Sequence, residues 1–359
     1  ENSKKILKKI LKLDRSNSAA HYMLSKLINY KDENDHYIEM ENLLKNQNIK
    51  KNDTINFSFA LGKVFEDKKD YKKSYNFYKV ANDLKNQLFK DNLNYFNNLK
   101  TDLINFFEEF NISKIKNYKD KKIIFICGMP QSGTTLVEQI ISSHGKVEAS
   151  GETSILSNIF VNKLSSKLKN DKEKVKDFIL TEGYSLQEYY YQRLDNLNIN
   201  SQIITNKNVQ NFIWIGFIRS LFPNSKIINC SRNSRDVCLS IYKNNFNDTF
   251  ISWGYKQEYI ANFHNFYFNL MEYWNNKFHN EIYNLNYEDL LNNPTSEIKR
   301  LISACDLTWD PGCINFQSNK SLAKTSNNIQ VRKLLYNSSK DLSKNYTKYL
   351  SPMFGLLRN

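Results

Sequence analysis

Proline is scarce in this chain, and from its first third it is missing. All five prolines lie at Pro130 or beyond, and up to Tyr118 there is a single glycine, Gly62. Without those breakers the stretch reads as helix after helix. Cysteine is scarce too: Cys127, Cys230, Cys238, Cys305 and Cys313 are odd in number and form no CxxC pair. That excludes a disulfide framework and points to a reducing, intracellular setting, the cytoplasm. The five histidines, His21, His36, His144, His264 and His279, show no metal-ligand spacing, so no metal site is expected. Long apolar runs are absent: stretches such as Ile123 to Cys127 are strand-sized, short of the roughly 20 residues of a membrane helix. No secretory signal is visible. The chain opens at Glu1 without a methionine, which reads as a lost upstream segment.

What is present is globular and basic. The 359 residues are 25% charged and 40% hydrophobic, with mean hydropathy −0.61 and a formal net charge of +14. That length accommodates one large domain with a smaller one, or two ordinary domains. The charge fits either a lysine-rich solvated surface or a field that draws in a polyanion. A nucleic-acid partner is not expected, because no basic-aromatic motif, zinc-finger spacing or arginine-rich helix appears.

Two regimes divide the chain. Residues 1–118 form a helical segment in which Leu61, Gly62, Phe65, Tyr71, Ser74, Tyr78 and Ala81 fall at the small and aromatic positions of a tetratricopeptide unit. Small residues there let two antiparallel helices approach, and aromatics fill the gap. A degenerate copy starts near Ser18, with Leu24 matching Leu61, and Ile6 to Leu13 resembles the last helix of an earlier unit. An ordinary helical bundle would give a similar pattern. Residues 87–118 are expected as a connecting helix. From 119 to 359, short apolar runs at Ile123–Cys127, Ile203–Thr205, Lys226–Cys230 and Ile282–Asn286 alternate with helical patterns at Thr134–Ser143, Arg235–Asn244 and Trp253–Phe278. The expected fold is α/β, a P-loop-like parallel sheet with helices on both faces, preceded by the all-α segment.

The strongest local signal is the strand-turn-helix Ile123–Thr135. Gly128 and Gly133 are separated by four residues, as in a Walker loop, and the N–H groups around Gln131, Ser132, Gly133, Thr134 and Thr135 would form an anion nest. Thr134 stands where a nucleotide triphosphatase carries its lysine. That disfavours a kinase or ATPase and suits a phosphosulfate, which has no γ-phosphate. A ligand-free glycine turn would look the same in isolation. A second strand-to-helix passage, Phe222–Ser240, places Arg232 just past the strand end, with Ser240 two turns along the helix. A guanidinium fork with a hydroxyl makes a cradle for a second phosphate.

These blocks, GMPQSGTTLVEQIISSHGKVEASGET, TNK, FPNSKIINCSRNSRDVCLS and TSNNIQVRK, occur in order, and over residues 122 to 350 the chain resembles the sulfotransferase superfamily. Specifically, it is similar to the tetratricopeptide-containing bacterial branch related to tyrosylprotein sulfotransferases. The resemblance implies 3′-phosphoadenosine 5′-phosphosulfate (PAPS) as sulfuryl donor and a hydroxyl acceptor: protein tyrosine, sugar or small alcohol. It implies that Glu152, in Gly151-Glu152-Thr153, takes the acceptor proton, and that Lys207 steadies the bridging oxygen. Thr134 and Thr135 would hold the 5′-phosphosulfate, Arg232 and Ser240 the 3′-phosphate, and Ser326, Arg332 and Lys333 later cofactor contacts. One departure stands out: the family usually has arginine where this chain has Gln131. Glutamine donates a hydrogen bond without charge, so another cation must substitute or transfer slows. His144 matches a structural turn, not a base.

The expectation is metal-free, in-line sulfuryl transfer, with the repeats offering a surface to a peptide partner or a second copy of the chain. Its rivals are a P-loop kinase or ATPase, and a non-catalytic repeat scaffold carrying a decayed transferase domain.

Overall fold

The computed structural model describes residues 2–31, 35–46, 48–89, 93–111, 115–246, 248–318 and 341–358. They fall into two compact units. One comprises Glu1–Leu93, Cys238–Phe263 and Asp341–Asn359; the other comprises Asn94–Val237 and His264–Lys340.

The first unit is helical, and its centre is the pair Lys51–Asp67 and Tyr71–Asn86. Gly62 makes their close approach possible, since a Cβ there would lie 2.5 Å from the Tyr78 ring. Phe65 stacks on Phe77 at 5.4 Å, and the Ser74 hydroxyl donates to the Gly62 carbonyl at 2.7 Å. Leu61, Ser74, Tyr78 and Ala81 are buried, so the small and aromatic positions read from the sequence meet between the helices. Distant segments join through one carboxylate. Glu66 accepts from Lys243 Nζ at 2.6 Å and from the Tyr346 hydroxyl at 2.8 Å. Asn82 adds a bond to the Tyr242 carbonyl at 2.8 Å.

The second unit carries a five-stranded sheet, every pairing parallel, in the order β2-β3-β1-β4-β5. The strands are β1 Lys122–Gly128, β2 Val147–Ala149, β3 Ile203–Lys207, β4 Lys226–Ser231 and β5 Ile282–Asn286. Alternate side chains of β1 serve opposite faces. Ile124 and Ile126 enter a core with Val137, Ile140, Leu301 and Ile302, whereas Phe125 meets Tyr190 and Phe222. Both faces are covered, which is why these strands read as continuous apolar runs.

The expected α/β class holds, and the differences are local. β2 was not anticipated: its three residues carry no apolar run to distinguish them. The helix expected across 87–118 spans Leu93–Glu109 and packs Phe107 against Phe217 at 4.9 Å and Trp274 at 5.2 Å. Beyond it, the backbone of Lys116 and Tyr118 is bonded by the buried Gln187 side chain instead of a helical ladder. The helix expected from Trp253 begins at Gln257, after 3₁₀ turns over Thr249–Tyr255.

A histidine pair makes the first unit sensitive to acid. His21 Nε2 faces the Arg15 carbonyl at 2.9 Å, so that nitrogen donates. His21 Nδ1 then accepts from His36 Nε2 at 2.9 Å, and His36 Nδ1 accepts from the Tyr30 hydroxyl at 2.6 Å. Every ring nitrogen is used with both imidazoles neutral. Burial first, then neighbouring His21 and the Lys8 and Lys4 charges, push His36 down from 6.5 to about 4. The unfolded chain therefore binds the extra proton first, and stability present above pH 6.5 is lost as pH falls toward about 4. Urea midpoints measured across this window should fall for the wild type, and the slope should flatten in His36→Phe.

Candidate active site

Because all five strands run the same way, their C-terminal ends share one edge of the sheet, where open α/β folds hold ligands. Gly128 ends β1, Lys207 ends β3, and Ser231 ends β4 immediately before Arg232.

The turn after β1 needs unusual backbone angles. Gly128 has φ +147°, Gln131 +70° and Gly133 +103°. A Cβ at Gly128 would lie 2.5 Å from the Cys230 carbonyl oxygen, so the loop touches β4 directly. Gly133 caps the helix Thr134–Ile141, and no side chain caps its first N–H groups. These groups and the positive end of the helix dipole face the loop's concavity. The Ser132 hydroxyl is buried without a hydrogen-bond partner. Thr134 and Thr135 are buried beside it.

The Arg232 guanidinium reaches this loop. Its Nη1 donates to the Gln131 carbonyl at 3.1 Å, and its plane sits 4.8 Å from the Tyr287 ring centre. Tyr287 also closes over Gly133, where a Cβ would come within 2.7 Å of the ring. The two sequence blocks expected to bind anions are therefore in contact.

The TNK triplet on β3 gathers the rest. Thr205 Oγ1 donates to Glu138 Oε1 at 3.0 Å. Asn206 Nδ2, on the opposite face, donates to Thr153 Oγ1 at 2.8 Å and the Tyr190 hydroxyl at 2.9 Å. Lys207 Nζ donates to Glu152 Oε1 in an ion pair whose lysine side chain is 0% exposed and whose glutamate is 51% exposed. A fully buried ammonium needs such a partner. The exposed carboxylate can reach solvent or a ligand. The backbone closes the arrangement: Ser150 N–H donates to the Thr205 carbonyl at 3.1 Å, and Lys207 N–H to the Gly151 carbonyl at 3.3 Å.

The structure thus brings Gln131, Gly133 and Arg232 into one contact cluster and Glu152 and Lys207 into another, at the same strand edge. Ser240 lies on the helix Ser234–Tyr242 and falls in the first unit. Ser326, Arg332 and Lys333 lie outside the described residues. His144 is structural: it accepts from Lys146 N–H at 3.2 Å, and its Nε2 donates to the Thr308 carbonyl at 3.0 Å.

Sequence reasoning missed two participants. Tyr287 follows β5, so the strand-end rule applied to Ile282–Asn286 would have pointed to it. Glu138 is the lone charge in the helix Thr134–Ile141, a signal in plain view. Burial raises its pKa, against the Lys207 ammonium and the bonds from Thr205 and Gly151, which lower it. A separate cleft of about 940 Å³ opens at the other ends of the strands, between Lys122, Arg219, Lys226 and Asp306. None of the residues named for chemistry lines it.

Comparison with known proteins gives a consistent family. The profile of the Sulfotransferase family matches residues 124–311. An uncharacterized protein of Aquifex aeolicus is 31% identical over 375 residues, covering all of this chain, which spans 48% of that protein. A putative protein-tyrosine sulfotransferase of Caenorhabditis briggsae is 26% identical over 207 residues, covering 53% of this chain and 67% of that protein. Human protein-tyrosine sulfotransferase 1 is 26% identical over 124 residues, 33% of each. Among solved structures, the sulfotransferase domain of a Synechococcus olefin synthase aligns with a TM-score of 0.43 at 15% identity, over 68% of this chain and 98% of that one. The sulfotransferase domain from the curacin biosynthetic pathway aligns at 0.40 and 16%, over 67% and 99%.

The β3 network is open to test. Asn206→Ala removes the amide that bonds the buried Tyr190 hydroxyl and Thr153 Oγ1. Urea unfolding should show a loss of about 1–3 kcal/mol. An unchanged midpoint would contradict the network.

Proposed function

The chain belongs to the Sulfotransferase family, and on that premise we propose that it moves a sulfuryl group from PAPS to a hydroxyl acceptor. The observation that carries this reading is the Lys207–Glu152 ion pair at the strand edge that also carries the Gly128–Thr135 loop. A positive group for a leaving oxygen and a half-exposed carboxylate for an incoming hydroxyl are the two chemical needs of the reaction.

The residues present fit a doubly phosphorylated adenosine. The uncapped helix start, the left-handed turns and the buried, unpartnered Ser132 hydroxyl suit a 5′-phosphosulfate held by Ser132, Gly133, Thr134 and Thr135. Arg232 suits the 3′-phosphate. When bound, PAPS supplies the sulfuryl group and the leaving 3′-phosphoadenosine 5′-phosphate. Glu152 Oε1 receives the acceptor proton, which raises the nucleophilicity of the hydroxyl oxygen. The Lys207 ammonium, kept dry and therefore strong, counters charge on the leaving oxygen. Gln131 leaves the loop without the usual arginine, and the Arg232 guanidinium, 3.1 Å from the Gln131 carbonyl, supplies positive charge to the same turn.

Among hydroxyl acceptors we favour protein tyrosine. The support is the 26% identity to protein-tyrosine sulfotransferases and a helical pair at Lys51–Asn86 whose packing suits a tetratricopeptide-like unit presenting a peptide surface.

Calorimetry with 3′-phosphoadenosine 5′-phosphate is the direct test. Wild-type protein should bind it without added metal, and Arg232→Ala should weaken binding by about 1.5–3 kcal/mol. Glu152→Gln should retain near-native affinity while turnover with labelled PAPS and a tyrosine peptide falls roughly 10²–10⁴-fold. Equal turnover in that variant would remove Glu152 from its role. ATP binding in preference to the adenosine bisphosphate would overturn the whole reading.

A further inference from the structure

Glu138 belongs to no step described so far, yet it is the enclosed carboxylate of the site. Its side chain is 4% exposed on a helix that is otherwise uncharged. One oxygen, Oε1, takes two donors from different parts of the chain: the Gly151 N–H at 3.1 Å and the Thr205 hydroxyl at 3.0 Å. Gly151 directly precedes Glu152, and Thr205 is two residues before Lys207 on the same face of β3. The glutamate therefore pins the turn that carries the proposed base to the strand that carries the proposed cation.

The hydrogen bonds also say something about its charge. Two donors converging on one oxygen favour the carboxylate over the acid. The charged groups acting on it are Lys207 from β3, which favours ionisation, and Glu152 from the turn, which opposes it; burial, the largest influence, also opposes it. The buried ammonium, with 0% exposure, is paired with the half-exposed Glu152, and the enclosed Glu138 carboxylate is bonded to Thr205, the side chain next to Lys207 on that face of β3.

We propose that Glu138 is a positioning residue and the standing counter-charge of Lys207, which lets Glu152 leave the ion pair and turn to the acceptor hydroxyl. With Glu152 alone, release of the base would strand Lys207 as an unpaired buried cation, a costly state. With Glu138 fixed behind it, the cation stays compensated while Glu152 moves. The same carboxylate holds Gly151, so the base swings from a fixed hinge. The kinetic part of this inference rests on the sulfotransfer reading; the electrostatic part does not.

The test has two arms. In the unliganded protein, unfolding midpoints are measured for Glu138→Gln, Glu152→Gln and the double variant. Glutamine keeps an oxygen acceptor for Gly151 and Thr205 and removes only charge. If both carboxylates answer Lys207, the double variant loses more than the two single losses together, because only there is the cation abandoned. Adding Lys207→Met should erase that excess. Additive losses, or an excess that survives Lys207→Met, would overturn the proposal.

In the second arm, kcat of Glu138→Gln should drop about a hundred-fold, as for a misplaced catalytic group. KM for PAPS and affinity for 3′-phosphoadenosine 5′-phosphate should stay within a few-fold. Glu138→Asp, which keeps the charge, should recover part of the loss. Native kcat, or no recovery in Glu138→Asp, would leave Glu138 as packing alone. Wild-type protein that fails to bind the adenosine bisphosphate would sink the sulfotransfer reading instead, and the unliganded cycle would still decide the counter-charge.

Discussion

A lysine ammonium with no access to water is the constraint around which this site is arranged. Burying Lys207 costs several kcal/mol unless anions and hydrogen bonds meet it. The chain meets that demand with Glu152 from the turn after β2, and the proposed second carboxylate, Glu138 from the helix after β1, is held to the same strand by Thr205. Strand β3 then fixes the turn through Thr205 and Asn206, side chains on opposite faces. Three consecutive residues thereby fasten three separate features, and the position of the proposed base follows from where the cation must sit.

Parallel topology does the remaining work of assembly. A sheet ordered β2-β3-β1-β4-β5 sends every strand's C-terminal end to one edge. There Gly128 lets the loop touch the Cys230 carbonyl, and Arg232 bridges to Gln131. The close approach at Gly128 admits no side chain, and Gly133 admits none beneath Tyr287. The concavity of this loop is thus a property of backbone shape, with one guanidinium at its rim.

Much of this was legible in the sequence, for physical reasons. Strands buried on both faces show as apolar runs, so β1, β3, β4 and β5 stood out, whereas the three residues of β2 offered no pattern. The loop and Arg232 could be named because strand-end and glycine chemistry is local, whereas Glu152 and Lys207 were named through the family resemblance. What stayed hidden depends on long-range pairing. Nothing near Glu66 announces Lys243 and Tyr346, and nothing near Glu138 announces Gly151 and Thr205. Whether a glutamate on an apolar helix is surface or interior is decided by partners tens of residues away. The absence of helix breakers before Tyr118 correctly marked helices, yet the helix there spans Leu93–Glu109, and farther on Lys116 and Tyr118 bond to the Gln187 side chain.

If loop, guanidinium and buried lysine address one ligand from one edge of the sheet, a crystal structure with 3′-phosphoadenosine 5′-phosphate will show it. One phosphate should sit on the N–H groups of Ser132 to Thr135 and the other on Arg232, with Lys207 facing the first. A nucleotide seated in the cleft by Lys122 and Lys226, at the opposite strand ends, would contradict it.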